Sequence, residues 1–330
     1  MSERIIVIGN PVAGGGARGK ISKAFSILKA LDRDAELKFT SQKGDAEFFA
    51  REASASPNTL IIAAGGDGTY NEVANGLLHS DTPLAILPVG TTSVLARELG
   101  IPLNTEKALE VALHGRIEKV HLGRISWIPS SRTFDKEMTE SLQTTRHFLL
   151  MAGIGYDGSA VYGVNEMLKK YSGRMAYILS GFWSIINYHP GPLMVSAEIG
   201  DREDIEGGRF RIQRHYCSVN RDSLHSTGYT VIVSKAACYG GDMKITPDAS
   251  LTSPYLYVFV GHKKGRLDLI RHLAAIVSGR TLNLKDISYF RTDKITIEGN
   301  SHIQLDGDYA GTTPATIDIV RNALNLVVPT

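Results

Sequence analysis

Two hydrophobic rhythms divide the chain. Up to about residue 116, short unbroken apolar runs alternate with stretches whose apolar residues recur every three or four positions. Ile5–Ile8, Leu60–Ala64 and Leu84–Leu87 read as strands from apolar runs, Leu60–Ala64 with the content of a buried one, and Glu36–Phe39 reads as a further strand. Ile21–Leu31, Asp45–Ser54, Tyr70–His79, Ser93–Leu99 and Thr105–Leu113 read as helices with one apolar face. This alternation predicts a parallel sheet covered by helices. Ligands bind such sheets at the carboxyl ends of the strands, and each glycine-rich segment here follows a strand.

From about residue 117 the rhythm shortens. β-type runs are predicted at Glu118–Trp127, His147–Ala152, Leu193–Ile199, Phe210–Val219, Thr230–Ser234 and Tyr255–Val260. Others follow at Ile295–Glu298, His302–Leu305, Thr316–Val320 and Leu326–Val328. Helical patterns interrupt them at Gly158–Lys170, Arg174–Tyr188 and Leu267–Ser278, and Pro129–Thr145 is polar enough for a mobile loop. The pattern predicts a mostly antiparallel β domain. We therefore expect an α/β domain over 1–122, a β-rich domain over 123–312, and a return of 313–330 to the first.

Composition narrows the class without choosing a function. The 330 residues are 43% apolar and 21% charged, with a net charge of +2. A balance this mild, without a basic run, argues against nucleic acid as a partner. Cys217 and Cys238 have neither metal nor redox spacing, so a reducing compartment is expected. Strand-like residues follow Met1-Ser2-Glu3-Arg4 at once, and no signal peptide is read there. Met175–Ala197 lacks Asp, Glu, Lys and Arg, but Asn187, His189, Pro190 and Pro192 leave its apolar part too short to span a bilayer.

The chemistry concentrates in the loops after the predicted strands. Ala64-Gly65-Gly66-Asp67-Gly68-Thr69-Tyr70-Asn71-Glu72 joins a buried strand to a helix. Glycines let a ligand approach the amides closely, and the helix N-terminus favours phosphate. An acid at Asp67 suits a site where a metal or hydroxyl stands between it and the phosphates. Thr69 and Glu72 are spaced as a capping box. The first loop, Gly9-Asn10-Pro11-Val12-Ala13-Gly14-Gly15-Gly16-Ala17-Arg18-Gly19-Lys20, fits both G-x-G-x-x-G and the start of a P-loop, each weakly. Ile21 stands where a P-loop needs Ser or Thr for magnesium.

Gly65-Gly66-Asp67-Gly68-Thr69 followed by Asn71-Glu72-Val73-Ala74-Asn75-Gly76 resembles the diacylglycerol kinase catalytic domain family. That family includes bacterial lipid kinases and sphingosine and ceramide kinases; the first five residues are shared with NAD kinases. The resemblance runs on through the Asn10-Pro11 loop, through Thr40, which in the family contacts nucleotide, and through Pro88-Val89-Gly90-Thr91. The family's usual Asn-Asp after the third loop is replaced by Ser93-Val94. In the first loop Gly15 occupies a position that is often basic, so Arg18 or Lys20 is expected to serve instead.

Later segments extend the likeness: Gly153-Ile154-Gly155-Tyr156-Asp157, Lys169-Lys170-Tyr171-Ser172-Gly173-Arg174-Met175-Ala176-Tyr177, Tyr239-Gly240-Gly241-Asp242-Met243 and Pro247-Asp248-Ala249. Asp157 is expected to cap a helix. In many bacterial members an acidic Asp-Asp-Gly then helps bind a structural magnesium. Thr252-Ser253-Pro254 stands there and offers no carboxylate, so that site is not expected. Asp306-Gly307-Asp308 aligns with the family's Asp-Gly-Glu, whose glutamate is the proposed base. Asp306-Gly307 is also a strong hairpin-turn signal.

The resemblance implies an ATP-dependent lipid kinase of α/β plus β-rich architecture. It would transfer the γ-phosphoryl group to a lipid hydroxyl, most simply on a diacylglycerol-like acceptor. The alternatives are a sphingoid or ceramide acceptor, or a relative that binds nucleotide or lipid without catalysis. Asp308 would be the general base, and Asp67 would position metal or acceptor as a contact to ATP-bound magnesium. ATP would meet Asn10, Pro11, Gly14, Gly15, Gly16, Arg18, Thr40, Gly65, Gly66, Gly68, Thr69, Asn71, Glu72, Gly90 and Thr91. The protein is expected in the cytoplasm, peripheral at the inner membrane face, with a homodimer left open.

Overall fold

The computed structural model describes residues 4–90, 93–128, 143–159, 161–162, 191–199, 210–220, 222–239, 243–278 and 284–330. The expected helices at 158–170 and 174–188 and the Lys169–Tyr177 motif fall almost wholly outside these residues. So do the loop over 129–142, Gly240-Gly241-Asp242 and Thr91. The chain divides into two compact units. The first is Met1–Leu122 with Cys238–Asp242 and Val320–Thr330; the second is Gly123–Ala237 with Met243–Ile319.

The first unit is built as its pattern predicts. Strands β1 (Arg4–Gly9), β2 (Ala35–Phe39), β3 (Thr59–Gly65) and β4 (Leu84–Pro88) alternate with helices α1 (Ala17–Ala30), α2 (Asp45–Ser54) and α3 (Asp67–Gly76), and α4 (Val94–Glu98) and α5 (Thr105–His114) follow. The strands lie parallel in the order β2-β1-β3-β4. Thr59–Gly65 is buried throughout, which explains its unbroken apolar run. Ile21 and Leu28 of α1, Val73 of α3 and Leu109 of α5 are buried on the helices that cover the sheet. Because the strands share one direction, the loops after Gly9, Phe39, Gly65 and Pro88 all leave the same edge.

The capping-box expectation fails for a packing reason. Helix α3 begins at Asp67 with Gly66 as its N-cap and no side-chain cap bond. Glu72 instead accepts the Ala46 amide at 3.3 Å, at the start of α2. The same helix face carries Gly76, where an added Cβ would sit 2.4 Å from the Glu47 carbonyl. Much of Asn71–Gly76 thus serves the close crossing of α2 and α3.

The second unit takes in β5 (Arg116–Trp127) from Gly123 onward, β6 (Thr144–Phe148), β7 (Met151–Gly155), β8 (Leu193–Glu198), β9 (Cys217–Val219), β10 (Ser223–Gly228) and β11 (Thr230–Ser234). β12 (Cys238–Tyr239) falls in the first unit, while β13 (Met243–Lys244), β14 (Leu256–Gly261) and helix α6 (Arg266–Val277) continue the second. β15 (Ile287–Thr292), β16 (Lys294–Glu298), β17 (His302–Leu305), β18 (Asp308–Thr312) and β19 (Ala315–Val328) complete the chain. Antiparallel pairing gives one sheet in the order β15-β14-β11-β7-β17-β18. In the other, the first part of β19 is followed by β16, β8, β10 and β9. Val195, Leu224, Ile295 and Ile317 from one sheet and Ile154, Val233, Val258 and Ile303 from the other share a single core.

Several predicted strands move. The run His147–Ala152 is two strands broken at Leu149-Leu150. Of Phe210–Val219 only Cys217–Val219 is a strand. Thr316–Val320 and Leu326–Val328 belong to one strand, because the intervening residues stay extended apart from Asn322 at φ 51°. The polar strand β10 was not predicted; its buried positions are Leu224, Ser226 and Gly228.

Candidate active site

At the carboxyl edge of the first unit's sheet, three loops are tied to one another by main-chain atoms. The Gly65 carbonyl accepts from the Val89 amide at 3.1 Å, the Gly90 amide at 2.9 Å and the Tyr70 hydroxyl at 2.8 Å. An added Cβ on Gly90 would come within 3.0 Å of Gly66 Cα, and one on Gly65 would strike Thr69 Oγ1 at 2.4 Å. These two glycines are required for close approach. Tyr70 is wholly buried, and burial holds its phenol well above the ordinary range, so it remains a neutral donor.

Gly15, Gly16, Gly66 and Gly68 are of another kind. A Cβ on any of them would meet nothing within 4 Å. Gly66 lies at φ −114°, a conformation open to any residue. Protein packing therefore does not demand glycine at position 66, whereas a ligand resting on the backbone would. The first turn of α3 begins at this point, and a helix N-terminus is a ready anion site.

The side chains around this surface are held in place. Asn10 closes a turn by accepting the Val12 amide at 3.0 Å, and its Nδ2 donates to Thr69 Oγ1 at 3.4 Å, joining the first loop to the second. The Thr40 amide donates to the Gly9 carbonyl at 2.9 Å. Arg18 is exposed, with its guanidinium 5.3 Å from the Phe39 ring at the end of β2. Pro11 and Gly14 lie in the same first loop. Asn10, Thr40, the Gly65–Thr69 segment and Gly90 are thereby brought to one edge, whereas Glu72 turns to α2.

Asp67 has a definite partner set. Its two carboxylate oxygens accept the amides of Val94 and Leu95, each at 2.9 Å. It thus caps α4 while standing at the start of α3. Burial raises its pKa above the ordinary carboxyl value, and the Leu95 and Val94 amides oppose that rise. Val94, which replaces a family acid, contributes its amide to this arrangement. Ser93 is buried at φ 37°. No cluster of three metal-ligating side chains exists among the described residues. A nucleotide-borne magnesium still fits, because such ions take one or two carboxylates and fill their shell with phosphate and water.

In the second unit, Asp308 opens β18 after a two-residue hairpin loop. Asp306 and Gly307 have φ 49° and 91°, and Leu305 pairs with Asp308. That is the primed turn which Asp-Gly favours. The Asp306 carboxylate accepts the amides of Leu149, Leu150 and Met151 at 2.8–2.9 Å. Gln304 supports the loop from within, accepting the Gly307 amide at 2.7 Å and donating to Asp157 at 2.6 Å. Asp157 is buried against that amide. Asp308 is exposed. Sequence reasoning gave Asp306 only a turn role; its three-amide bond joins segments too far apart in the chain for any local signal to reveal.

An α/β unit with glycine-rich loops along one sheet edge and an antiparallel two-sheet unit together make the NAD kinase-like architecture. A model described as the diacylglycerol kinase catalytic domain matches residues 4–125, and one described as the YegS C-terminal NAD kinase beta sandwich-like domain matches 151–328. The chain belongs to the diacylglycerol kinase family and is a lipid kinase. It is 26% identical to a diacylglycerol kinase of Bacillus subtilis (99% of this chain, 97% of the relative) and 25% identical to one of Staphylococcus epidermidis (100% and 93%). In fold it is similar to a crystal structure of a diacylglycerol kinase from Bacillus anthracis (TM-score 0.70, 23% identity, 99% and 97% covered). A yeast NADH kinase complexed with NADH is a more distant likeness (TM-score 0.52, 10% identity, 100% and 84% covered).

Proposed function

We propose that the chain transfers the γ-phosphoryl group of ATP to the hydroxyl of a diacylglycerol-like lipid. The observation that carries this reading is the open backbone at Gly66 and Gly68, beside a loop edge that Gly65 and Gly90 pack tightly. Amides of Gly66, Gly68 and Thr69 at the start of α3 would receive phosphate oxygens, with Thr91 as a further donor. Arg18 and Lys20 would add positive charge from the first turn of α1, and Asn10 and Thr40 would orient the nucleotide.

Magnesium, when bound with ATP, neutralises charge on the phosphates. Asp67 would hold it through a lone pair left on either oxygen, directly or through water. Asp308 would accept the acceptor hydroxyl's proton as the new O–P bond forms and ADP leaves. Positioning and charge stabilisation supply most of the rate in such transfers. Among the described residues no helix is long and apolar enough to cross a membrane. The lipid would be met by reversible, peripheral contact from the cytoplasmic side.

The test is transfer of label from γ-labelled ATP to vesicles containing diacylglycerol, with sphingosine and ceramide vesicles in parallel. Labelled phosphatidic acid supports the reading. Product only from the sphingoid vesicles moves the acceptor, and no lipid product with any vesicle refutes the catalytic assignment.

A further inference from the structure

Lys235 follows the last residue of β11 and has 0% of its surface exposed. Buried lysines ordinarily sit against a carboxylate, yet among the described residues no ion pair holds this one. Its ammonium donates to two main-chain carbonyls instead, those of Ser253 and, at 2.9 Å, Tyr255. Burial pulls its pKa down to about 7, while carbonyl acceptors favour the charged form.

The carbonyls belong to a tightly folded loop. Ser253 N–H donates to the Ser250 carbonyl at 3.1 Å, the Ser250 hydroxyl bonds Thr252 at 2.9 Å, and the Ser253 hydroxyl meets Tyr257 at 3.0 Å. Carbonyl oxygens turned toward one buried point form the kind of cage that hard cations occupy. A divalent ion does not fit here, since the ammonium is already bonded to the carbonyls and the loop has no carboxylate.

We propose that the Lys235 ammonium is the structural cation of the second unit, a covalently attached charge that holds the Ser253 and Tyr255 carbonyls together as a bound ion would. The consequence reaches the candidate base through a chain of hydrogen bonds. The Lys235 and Ala236 amides donate to the Leu150 carbonyl at 2.8 and 3.2 Å, and the Leu149, Leu150 and Met151 amides are held by Asp306. Lys235 therefore ties the 250–255 loop to the bend that supports the Asp306–Asp308 turn. The inference concerns the fold of this unit and stands whatever the acceptor lipid is.

The experiment uses the full chain without nucleotide, as wild type and as Lys235→Met, which keeps the length and removes the charge. Metal content after dialysis, melting in EDTA against millimolar magnesium or calcium, and amide exchange of residues 250–255 are measured. The wild type should hold no stoichiometric divalent ion and melt at one temperature in all three solutions. Lys235→Met should exchange those amides about tenfold faster, as expected when buried carbonyls lose their donor. Retention of one equivalent of metal by the wild type, or a rise of several degrees in its melting temperature with magnesium, overturns the proposal. Unchanged exchange in Lys235→Met does the same. Should that variant not fold, the wild-type metal measurements decide alone.

Discussion

Replacing Asp306 by alanine tests whether one side chain holds the segment that carries the candidate base. The carboxylate accepts three amides at 2.8–2.9 Å, and all three donors belong to buried residues. A hydrogen bond to a charged group contributes about 1.5–3 kcal/mol, and such bonds sharing one acceptor group do not add in full. The residue also sits at φ 49°, which aspartate tolerates and alanine resists at about 1 kcal/mol. A loss of about 4–5 kcal/mol follows. With each kcal/mol worth about 2–4 °C in a domain of this size, the second unit should melt roughly 8–20 °C lower. Asp306→Asn keeps one acceptor oxygen and the turn preference, and should lose about half as much. Differential scanning calorimetry of wild type and both variants measures this directly. An alanine variant melting within about 1 °C of wild type would show that the three bonds contribute nothing net and would refute the reasoning.

Gly66→Val should fold normally, since its backbone is unstrained and its Cβ would meet nothing, yet lose at least about tenfold in ATP affinity by calorimetry; equal affinities would remove the phosphate site. Gly65→Val should instead fail to fold well, because its Cβ overlaps Thr69, and circular dichroism melting separates the two glycines. Asp308→Asn should keep stability and ATP affinity while lowering kcat by about a hundred- to ten-thousand-fold, and wild-type turnover would end the base assignment. His262 is buried between the Thr227 carbonyl and the Ser288 hydroxyl, and burial, the largest cause, lowers its pKa below 6.5. The unfolded chain then binds the extra proton first, so stability should fall as pH drops below 6.5 and level off beneath the folded pKa. A melting curve flat from pH 7 to 5, or one unaltered by His262→Asn, would contradict this.

The first unit was legible because each of its elements satisfies a local rule. Leu60–Ala64 is apolar throughout because both faces are covered, and the helices bury one face each. The Asp306-Gly307 turn was equally plain. Less legible were features that depend on distant partners. Glu72 looks like half of a capping box, yet its acceptor role lies with Ala46 on another helix. Asp67 reads as a ligand contact and is found on the amides of Val94 and Leu95. Strand β10 hid behind Ser, His and Thr, since a strand between two others gains its burial from pairing rather than from its own composition. Lys235 gave no signal at all, because a charge inside a core can be recognised only once the carbonyls that surround it are known.

The last strand has a consequence for how the protein is made. Leu326 pairs with Leu84, the His79 amide donates to the Ala323 carbonyl, and Asn325 donates to the Asp81 carbonyl. β4 is thus completed by residues synthesised after the whole of the second unit. Until they emerge from the ribosome, the apolar strand Leu84–Pro88 presents an unpaired edge, the condition under which nascent chains aggregate or recruit chaperones. The first unit, though first to be translated, is the last to close.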